Sequence, residues 1–540
     1  MNRVDAERPR NNNLNGKMKR ISDPELIKNY LSDESKIIEG NATEVVFPRS
    51  EKEISEILKE SNDGSIRVTV SGAGTGLTGS RVPMGGISLS MEELTQVSRE
   101  LSVGEEALQR VENGRTYRII VGKENDEYYA VVPPAIPLSI LKEIIEGKSL
   151  FYPPDPTETN AFIGGTVATN ASGARTFSYG PTRNYVRRLR IVMPSGDVLN
   201  IRRGDVFAEE NKFVIIPVDG EKIEIQIPEY NMPNVEKNSA GYYLRPGMDF
   251  IDLFIGSEGT LGVFSEVEIK LTERPKTIVP IFAHFKNEND SIKFFRELRY
   301  LFRSKRLNVL SIEFFDSHSV DFIRQKYRPP KIPEDSRSII DFELEVSTSE
   351  ERDTVLEKIV SVLLDKNMLE AFVISENEAK EIRHSLPEKI NEFIRSHGTK
   401  KVATDIAVPE DKFDEIVEYY REIGEEMGVN YLIFGHIGNN HLHFNFLPSN
   451  NEEVSKAQNG AILILKKAVE LGGTITAEHG VGKKYYVDCD ETKPLLSIMY
   501  TKETLFQISG MKRKIDPNCI LNTGNIIPEV YCLSKFGRSH

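Results

Sequence analysis

Three features of this sequence predict an α+β fold in more than one domain. Its 540 residues exceed what one hydrophobic core supports, so the length indicates two to four domains. From about Pro48, helical spacing in "EKEISEILKES" is followed by the β-branched run and glycines of "IRVTVSGAGTGLTG". After "TERPKTIVP" the chain changes to longer amphipathic segments interleaved with strand-like runs, which predicts a second α+β domain from about residue 276.

The composition is that of an ordinary globular protein, with 39% hydrophobic and 28% charged residues. A net charge of -13 argues against a broad phosphate-binding surface, so nucleic acid is not expected as a partner. Cys489, Cys519 and Cys532 form no CxxC pair, and neither a disulfide framework nor an iron–sulfur cluster is expected. The polar start predicts a mobile tail over residues 1–20, and without an apolar run of spanning length we expect a cytoplasmic protein.

Three glycine-rich regions mark the first half of the chain. The first, "VSGAGTGLTG", contains GxGxxG after a strand, but Pro83 and Gly85-Gly86 follow where a Rossmann phosphate loop needs a helix. Taken alone, this loop is either a tight turn between strands or a nest of backbone amides that binds an anion. The other two regions, "NAFIGGTVATNASGARTFSYGPTRNYV" and "IGSEGTLGVFSEVEI", favour a backbone wrapped around a ligand.

The motifs "VSGAGTGLTG", "PPDPTETNAFIGGTVATNASGARTFSYG" and "GSEGTLGV", in this order, resemble the PCMH-type FAD-binding domain of the vanillyl-alcohol-oxidase superfamily. The resemblance covers about residues 42–272. It implies that the first loop and residues 170–173 hold the FAD pyrophosphate, and that the backbone of Val263 meets the adenine. Neither loop carries the histidine or cysteine that covalent members bond to the flavin, so noncovalent FAD is expected. The implied cofactor-binding residues are Ser71, Gly72, Ala73, Gly74, Thr75, Gly76, Leu77, Gly79, Ser80, Pro154, Asp155, Thr157, Gly164, Gly165, Ala168, Asn170, Ser172, Gly173, Tyr179, Gly180, Glu258, Gly262, Val263 and Asn522.

The stretch "HIGNNHLHFNF", residues 436–446, holds three of the chain's nine histidines. His436 and His443 are an odd number of residues apart, so one straight strand would point them to opposite faces. We therefore predict a hairpin whose turn, Asn439-Asn440, sets His436 directly opposite His443. A polar, solvent-facing hairpin is the alternative. Glu478, in "TAEHGVGKK", favours a metal site instead, because two imidazoles and a carboxylate suit Zn²⁺, Fe²⁺ or Mn²⁺ and leave positions open for substrate.

This second half resembles the D-2-hydroxyacid dehydrogenases of the same superfamily, such as acceptor-linked D-lactate dehydrogenases and the flavin subunit of glycolate oxidase. The resemblance implies an FAD-linked oxidase C-terminal domain, α+β and ferredoxin-like, with His436, His443 and Glu478 as metal ligands. It also implies His479 as general base, Arg383 at the substrate carboxylate and Asn445 as a further catalytic residue. A solvated helix arginine is the alternative for Arg383. His441 stands where the family has asparagine and is left as a competing ligand, and Ala403 replaces the lysine of 2-hydroxyglutarate enzymes, which favours a lactate-like substrate.

The predicted organisation is a tail over 1–20, a PCMH-type FAD-binding domain over 21–275, a substrate- and metal-binding domain over 276–510, and a segment 511–540 that returns to the flavin. The predicted function is FAD-dependent, metal-assisted oxidation of a small D-2-hydroxy acid to the 2-oxo acid, with hydride transfer to flavin N5. A flavin-dependent alcohol or sugar oxidase and a noncatalytic flavin subunit are the alternatives. The sequence does not distinguish quinone, cytochrome, electron-transferring flavoprotein and a partner subunit as the electron acceptor. It also leaves open whether the chain forms a homodimer and whether it binds peripherally at the inner face of a membrane.

Overall fold

The computed structural model describes residues 18–217, 222–228, 230–324, 332–348, 352–357, 359, 368–488 and 491–533. Within these ranges the strands form three larger sheets and two two-stranded hairpins. Cys489 lies outside the described residues. The helices are α1 (Pro24–Ile27), α2 (Glu51–Asp63), α3 (Leu138–Glu146), α4 (Ile163–Ala168), α5 (Thr176–Tyr179), α6 (Ile251–Phe254), α7 (Glu288–Arg303), α8 (Ser317–Arg324), α9 (Glu376–His397), α10 (Phe413–Met427), α11 (Asn451–Glu470), α12 (Lys502–Ile515) and α13 (Glu529–Leu533).

The first sheet has four strands in the order β1-β2-β4-β3, and all but β1 run parallel. Helix α2 packs on this sheet because Ile54, Ile57 and Leu58 recur at helical spacing and are buried against it. Lys19 and Arg20 pair with β2, so they belong to the fold and not to the tail predicted for the start of the chain. The strands are β1 (Lys19–Ile21), β2 (Glu44–Phe47), β3 (Val68–Ser71) and β4 (Ile87–Ser90).

The second sheet has seven strands, with the path β10-β9-β13-β7-β6-β5 and β8 paired to the end of β13. All its pairings are antiparallel. The second glycine-rich region lies between β8 and β9, and the third leads directly into β13. The strands are β5 (Glu106–Glu112), β6 (Arg115–Glu124), β7 (Glu127–Val132), β8 (Leu150–Phe151), β9 (Val186–Val192), β10 (Val198–Arg202) and β13 (Val263–Glu273), with a separate hairpin of β11 (Lys212–Ile215) and β12 (Ile223–Gln226).

The third sheet is antiparallel and has eight strands, with the path β17-β14-β16-β15-β20-β21-β18 and β19 paired to β21. Helix α9 covers one face by burying Leu386 and Ile390, and Ser375 with Glu378 forms a capping box at its start. The predicted domain boundary near residue 276 falls between β13 and the first strand of this sheet. The strands are β14 (Thr277–Phe285), β15 (Val309–Phe315), β16 (Ser338–Val346), β17 (Met368–Val373), β18 (Val402–Ala403), β19 (Ile406–Ala407), β20 (Tyr431–Gly435) and β21 (His441–Phe446), with a separate hairpin of β22 (Tyr485–Asp488) and β23 (Glu491–Pro494).

The end of the chain returns to the first sheet. The backbone N–H of Val68 donates to the oxygen of Ile520 at 2.8 Å, and that of Asn522 donates to the oxygen of Val68 at 2.9 Å. The side chain of Asn522 also accepts from the N–H of Val70 at 2.7 Å. The predicted α+β class is confirmed. In the described part of the chain, no helix combines the length and the apolar content that crossing a bilayer requires.

Candidate functional site

The loop after β3 carries a run of backbone N–H groups without protein acceptors in the described part of the chain. No helix follows its glycines, and the next regular element is β4, so this is not a Rossmann phosphate loop. Gly74 and Gly79 adopt φ values of 89° and 73°, a region that suits glycine. Among the described residues, the backbone N–H groups of residues 73–78 find no protein acceptor. Successive free amides of this kind suit an anion such as a pyrophosphate.

The second glycine-rich region packs tightly on one side and stays open on the other. A Cβ added at Gly173 would lie 2.1 Å from the backbone oxygen of Asp155, so this contact requires glycine. A Cβ added at Gly165 would meet nothing within 4 Å, so this part of α4 borders open space. Asn170, at a φ of 49°, accepts from the N–H of Arg183 at 3.0 Å and fixes the loop between α4 and α5.

We expect Gly173→Ala to lose most of its bound FAD, because the added methyl group meets a backbone oxygen that has no freedom to move aside. The ratio of flavin to protein absorbance in the purified protein measures the effect, and occupancy should fall at least fivefold. Gly510→Ala is the matched control, because a Cβ there lies in helix α12 and its nearest contact is at 3.9 Å. Wild-type occupancy in Gly173→Ala would contradict the assignment of this loop.

Glu258 joins the third region to the other two, and its backbone N–H donates to the oxygen of Ala168 in the second region at 2.8 Å. Its buried carboxylate accepts from Ser80 Oγ at 2.7 Å and from the N–H groups of Val481 and Gly482 at 2.7 and 2.8 Å. Burial raises the pKa of Glu258, although these donors oppose the shift. Its backbone oxygen accepts from Asn522 Nδ2 at 2.8 Å. One side chain thus ties the loop after β3 to the segment that carries Glu478.

The residues predicted for cofactor binding lie in the three glycine-rich regions, after β8 and near the end of the chain, and we call this set the FAD cradle. The free amides and the open face at Gly165 fit a dinucleotide such as FAD, whose pyrophosphate needs N–H donors and whose ring system needs space. The predicted cofactor-binding residues, grouped by their position in the fold, are Ser71, Gly72, Ala73, Gly74, Thr75, Gly76, Leu77, Gly79 and Ser80 at and after the end of β3; Pro154, Asp155 and Thr157 after β8; Gly164, Gly165, Ala168, Asn170, Ser172, Gly173, Tyr179 and Gly180 from α4 to just past α5; Glu258, Gly262 and Val263 up to β13; and Asn522 near the end of the chain.

The histidine hairpin forms, but its predicted register is wrong. Phe434, and not His436, lies opposite His443. Strand β20 ends at Gly435, whose φ is 127°, and a 3-10 turn over Ile437–Asn439 replaces the two-residue turn. The longer connection still folds His436 back over the sheet, so that its ring centroid lies 5.6 Å from that of His443.

Four side chains of this region converge on one point. The ligand atoms of His436, His441, His443 and Glu478 all lie within 4.8 Å of one another. His436 Nε2 lies 3.3 Å from Glu478 Oε1, and His443 Nε2 lies 4.0 Å from Glu478 Oε2. His441 is fully buried, and its Nδ1 has no hydrogen-bond partner among the described atoms. Three imidazoles and a carboxylate at this spacing fit a divalent metal, and His441 is as well placed as the two predicted histidines.

Two carboxylates orient the rings of this cluster from behind. Glu313 Oε1 lies 2.7 Å from His436 Nδ1, and although burial opposes protonation, this contact raises the pKa of His436 to about 9. Asp405 lies 2.9 Å from His441 Nε2 and 3.0 Å from His479 Nδ1. Burial would raise the pKa of Asp405, but His479 and His441 hold it well below the ordinary value. A carboxylate behind an imidazole fixes its tautomer and orientation.

Strand β21 carries a further site residue on the same face. Because side chains alternate along a strand, Asn445 lies on the side of His441 and His443. Asn445 is 3% exposed, and its Nδ2 has no hydrogen-bond partner among the described atoms. An unpaired buried amide next to the cluster is suited to donate to a bound ligand.

Arg383 is not a solvated helix arginine. Its side chain is 15% exposed, and Nη2 donates to Glu343 Oε1 at 2.9 Å. Arg175 donates to the other oxygen of Glu343 at 2.7 Å, and although burial opposes the shift, both arginines lower the pKa of Glu343 to about 2. Arg383 Nε lies 3.6 Å from Asp341, the cross-strand neighbour of Glu313. Among the described residues, Arg383 Nη1 has no hydrogen-bond partner.

We expect Asp341→Asn to stabilise the protein at high pH. Burial, opposed by Arg383, raises the pKa of Asp341 to about 8, above the ~3.9 of an unfolded aspartate. The folded state therefore binds more protons between these values, and the contribution of Asp341 to stability is lost as pH rises through about 8. The melting temperature of the domain that carries Asp341 should rise in Asp341→Asn by about 2 to 4 °C at pH 9, the change that about 1 kcal/mol produces in a domain of about 150 to 250 residues. The difference should shrink towards pH 5, and a lower melting temperature at pH 9 would contradict the buried neutral carboxyl.

Comparison with known families identifies both halves of the chain. A family model described as "FAD binding domain" matches residues 42–202, and one described as "FAD linked oxidases, C-terminal domain" matches residues 274–526. The chain belongs to the FAD-linked oxidase family. The predicted PCMH-type FAD-binding domain followed by an FAD-linked oxidase C-terminal domain is thereby confirmed.

Curated relatives of this FAD-linked oxidase align over nearly their whole length. A D-lactate dehydrogenase of Anaerostipes hadrus is 26% identical over 517 residues, which is 93% of each chain. The glycolate oxidase subunit GlcD of Bacillus subtilis is 27% identical and covers 89% of this chain and 88% of its own. A D-2-hydroxyglutarate dehydrogenase of Stutzerimonas stutzeri is 26% identical and covers 94% and 95%. Solved structures of an alkyldihydroxyacetonephosphate synthase share the fold, one of them with a TM-score of 0.61 at 14% identity over 93% of this chain and 81% of that one.

Several residues that hold the site of this FAD-linked oxidase together were not predicted from the sequence. Asp405 and Glu313 orient the histidines, and Lys237 donates to Glu478 Oε1 at 2.6 Å. Asp405 carries a local signal, because it lies in "VATDIAVP" beside the strand that pairs with β21. Glu313 and Lys237 carry no local sequence signal. Glu313 is one residue of an ordinary strand, and Lys237 lies in a stretch without regular structure.

Proposed function

We propose that this chain oxidises a small D-2-hydroxy acid of the D-lactate type to the 2-oxo acid, with FAD as the first electron acceptor and a divalent metal, Zn²⁺ in this proposal, at His436, His443 and Glu478. One observation carries the proposal. Ser172, in the second glycine-rich region, donates to Glu478 Oε1 at 2.9 Å. A hydroxy acid held at the histidine cluster would therefore lie directly beside the flavin cradle.

The residues of the cluster divide the chemistry between them. Bound FAD supplies the acceptor for the hydride on C2, and a bound divalent metal supplies a Lewis acid that lowers the pKa of the substrate hydroxyl. We assign the hydroxyl proton to His479, whose Nδ1 faces Asp405 and whose Nε2 has no described protein partner. Arg383 Nη1 binds the substrate carboxylate, and Asn445 Nδ2 donates to the bound acid.

The substrate class rests on the relatives and on one substitution in the site. Proteins named for D-lactate, glycolate and D-2-hydroxyglutarate all align with this chain at modest identity. Ala403, which pairs with Asn445, stands where the enzymes of 2-hydroxyglutarate have a lysine. We therefore favour an acid without a second carboxylate.

Anaerobic bleaching of bound FAD tests the proposal. The purified protein is mixed with D-lactate, L-lactate, glycolate and D-2-hydroxyglutarate, each before and after treatment with a chelator. We expect D-lactate to reduce the flavin, L-lactate to fail, and the chelated protein to react at least tenfold more slowly. Reduction by L-acids alone, or by none of these acids, would overturn the assignment. Full activity after proven metal removal would instead favour a metal-independent oxidase.

A further inference from the structure

Residues 236–239 lie along the histidine cluster although they form no helix or strand. Asn439 donates to Glu236 at 2.5 Å, and Thr474 Oγ1 donates to Asn238 at 2.7 Å. The N–H of Ser239 donates to the oxygen of Thr476 at 3.0 Å. These contacts hold the segment on both sides of Lys237 and fix the position of Lys237 in the fold.

Lys237 is the cation of this segment, and it is 1% exposed. Its Nζ donates to Glu478 Oε1 at 2.6 Å and to the backbone oxygen of Gly173 at 3.0 Å. One ammonium group therefore joins the candidate metal carboxylate to the FAD cradle. A buried charge without a partner is costly, so the Lys237 charge depends on the Glu478 carboxylate.

The oxygen that Lys237 occupies is the one that faces the histidines. Oε1 of Glu478 lies 3.3 Å from His436 Nε2 and 3.9 Å from His441 Nδ1. Ser172 donates to the same oxygen, whereas His443 Nε2 lies 4.0 Å from Oε2. A cation held between the histidines and Oε1 would share this oxygen with an ammonium group already in contact with it.

We propose that Lys237 is a positioning residue that holds Glu478 in place and lowers the affinity of the His436, His441, His443 and Glu478 cluster for a divalent cation. Like charges that share one carboxylate oxygen repel each other, and the repulsion is strong because the site is buried. Lys237 also keeps Glu478 oriented before the cation arrives. The result is a preformed site from which the metal exchanges. This inference rests on the metal site in the proposed function.

The simpler role for Lys237 is a buried counter-charge that only stabilises the fold. The two roles make different predictions for metal binding. If Lys237 only stabilises the fold, its removal lowers the melting temperature and leaves metal affinity unchanged or weaker. If Lys237 opposes the metal, its removal strengthens metal binding even in a less stable protein.

The test compares Zn²⁺ affinity in the FAD-loaded wild type, Lys237→Met, Lys237→Gln and Lys237→Arg, each stripped with a chelator and titrated against a chromophoric competitor. We expect Zn²⁺ to bind at least tenfold more tightly to Lys237→Met and Lys237→Gln, and within threefold of the wild type to Lys237→Arg. Lys512→Met is the matched control, because Lys512 is also buried and paired, with Asp516 at 2.7 Å, away from the cluster. Its Zn²⁺ affinity should equal that of the wild type.

Unchanged or weaker Zn²⁺ binding in Lys237→Met with FAD retained would overturn the inference, as would the absence of stoichiometric binding in both proteins. If Lys237→Met does not fold, Lys237→Gln carries the same comparison, because the amide keeps a donor for Glu478 without the charge. Flavin bleaching of the wild type by D-lactate is scored separately. A wrong substrate assignment would leave the Zn²⁺ comparison intact, and the two failures are therefore distinguishable.

Discussion

His479→Ala should reduce its flavin with D-lactate at least a hundredfold more slowly than the wild type while keeping its FAD. A positioned general base contributes about 10²- to 10⁴-fold to a rate. The His479 side chain is 31% exposed, so its removal leaves no large cavity in the core. Stopped-flow measurement of flavin bleaching at saturating D-lactate gives the rate of the chemical step directly.

His397→Ala is the control for this variant, because His397 ends helix α9, is exposed, and hydrogen-bonds only near its own helix. Its rate should equal that of the wild type. A rate for His479→Ala within a few-fold of the wild type would remove His479 from the mechanism.

Glu478→Gln should lose both the metal and the activity. Burial would raise the pKa of Glu478, but Lys237 and His436 hold it well below the ordinary value, so the carboxylate is ionised in the folded protein. The amide is a poor metal ligand and leaves the ammonium of Lys237 without a counter-charge. Breaking a buried pair in this way costs about 3 to 5 kcal/mol, so the melting temperature should fall as well. Metal content by elemental analysis and flavin bleaching measure the two losses.

Glu470→Gln provides the comparison, because Glu470 is exposed at the end of α11 and pairs only with a surface lysine. It should retain metal, FAD and the wild-type rate. A Glu478→Gln protein that holds one metal per chain would show that the three histidines bind it without the carboxylate.

The glycine-rich loops could be predicted from sequence because their constraint is local. Gly74 and Gly79 need glycine for their own backbone angles, and Gly173 needs it for one close contact. The order of the three regions then indicated the FAD domain without knowledge of their packing. Glu258 was placed among the cofactor residues, but nothing in its own segment shows that it accepts from Val481 and Gly482.

The register of the histidine hairpin could not be predicted because distant residues fix its turn. Asn440 Oδ1 accepts from Arg299, which lies on α7, and Asn439 donates to Glu236. Both asparagines are therefore held by tertiary partners, and the turn is longer than local turn chemistry favours. The ion-pair partners of Arg383, Asp341 and Glu343, lie on the distant strand β16, so no local pattern around the arginine indicates them.

The return of the chain end to β3 has a consequence for biosynthesis. Residues 520–522 extend the first sheet, and Asn522 joins Val70 to Glu258. The ribosome makes these residues after β3, so the N-terminal half emerges with an unfinished edge beside its FAD loop. We expect cofactor capture to wait until residues 520–522 have emerged. Ribosome-bound chains that stop before residue 516 should remain colourless, whereas chains released after residue 533 should acquire flavin.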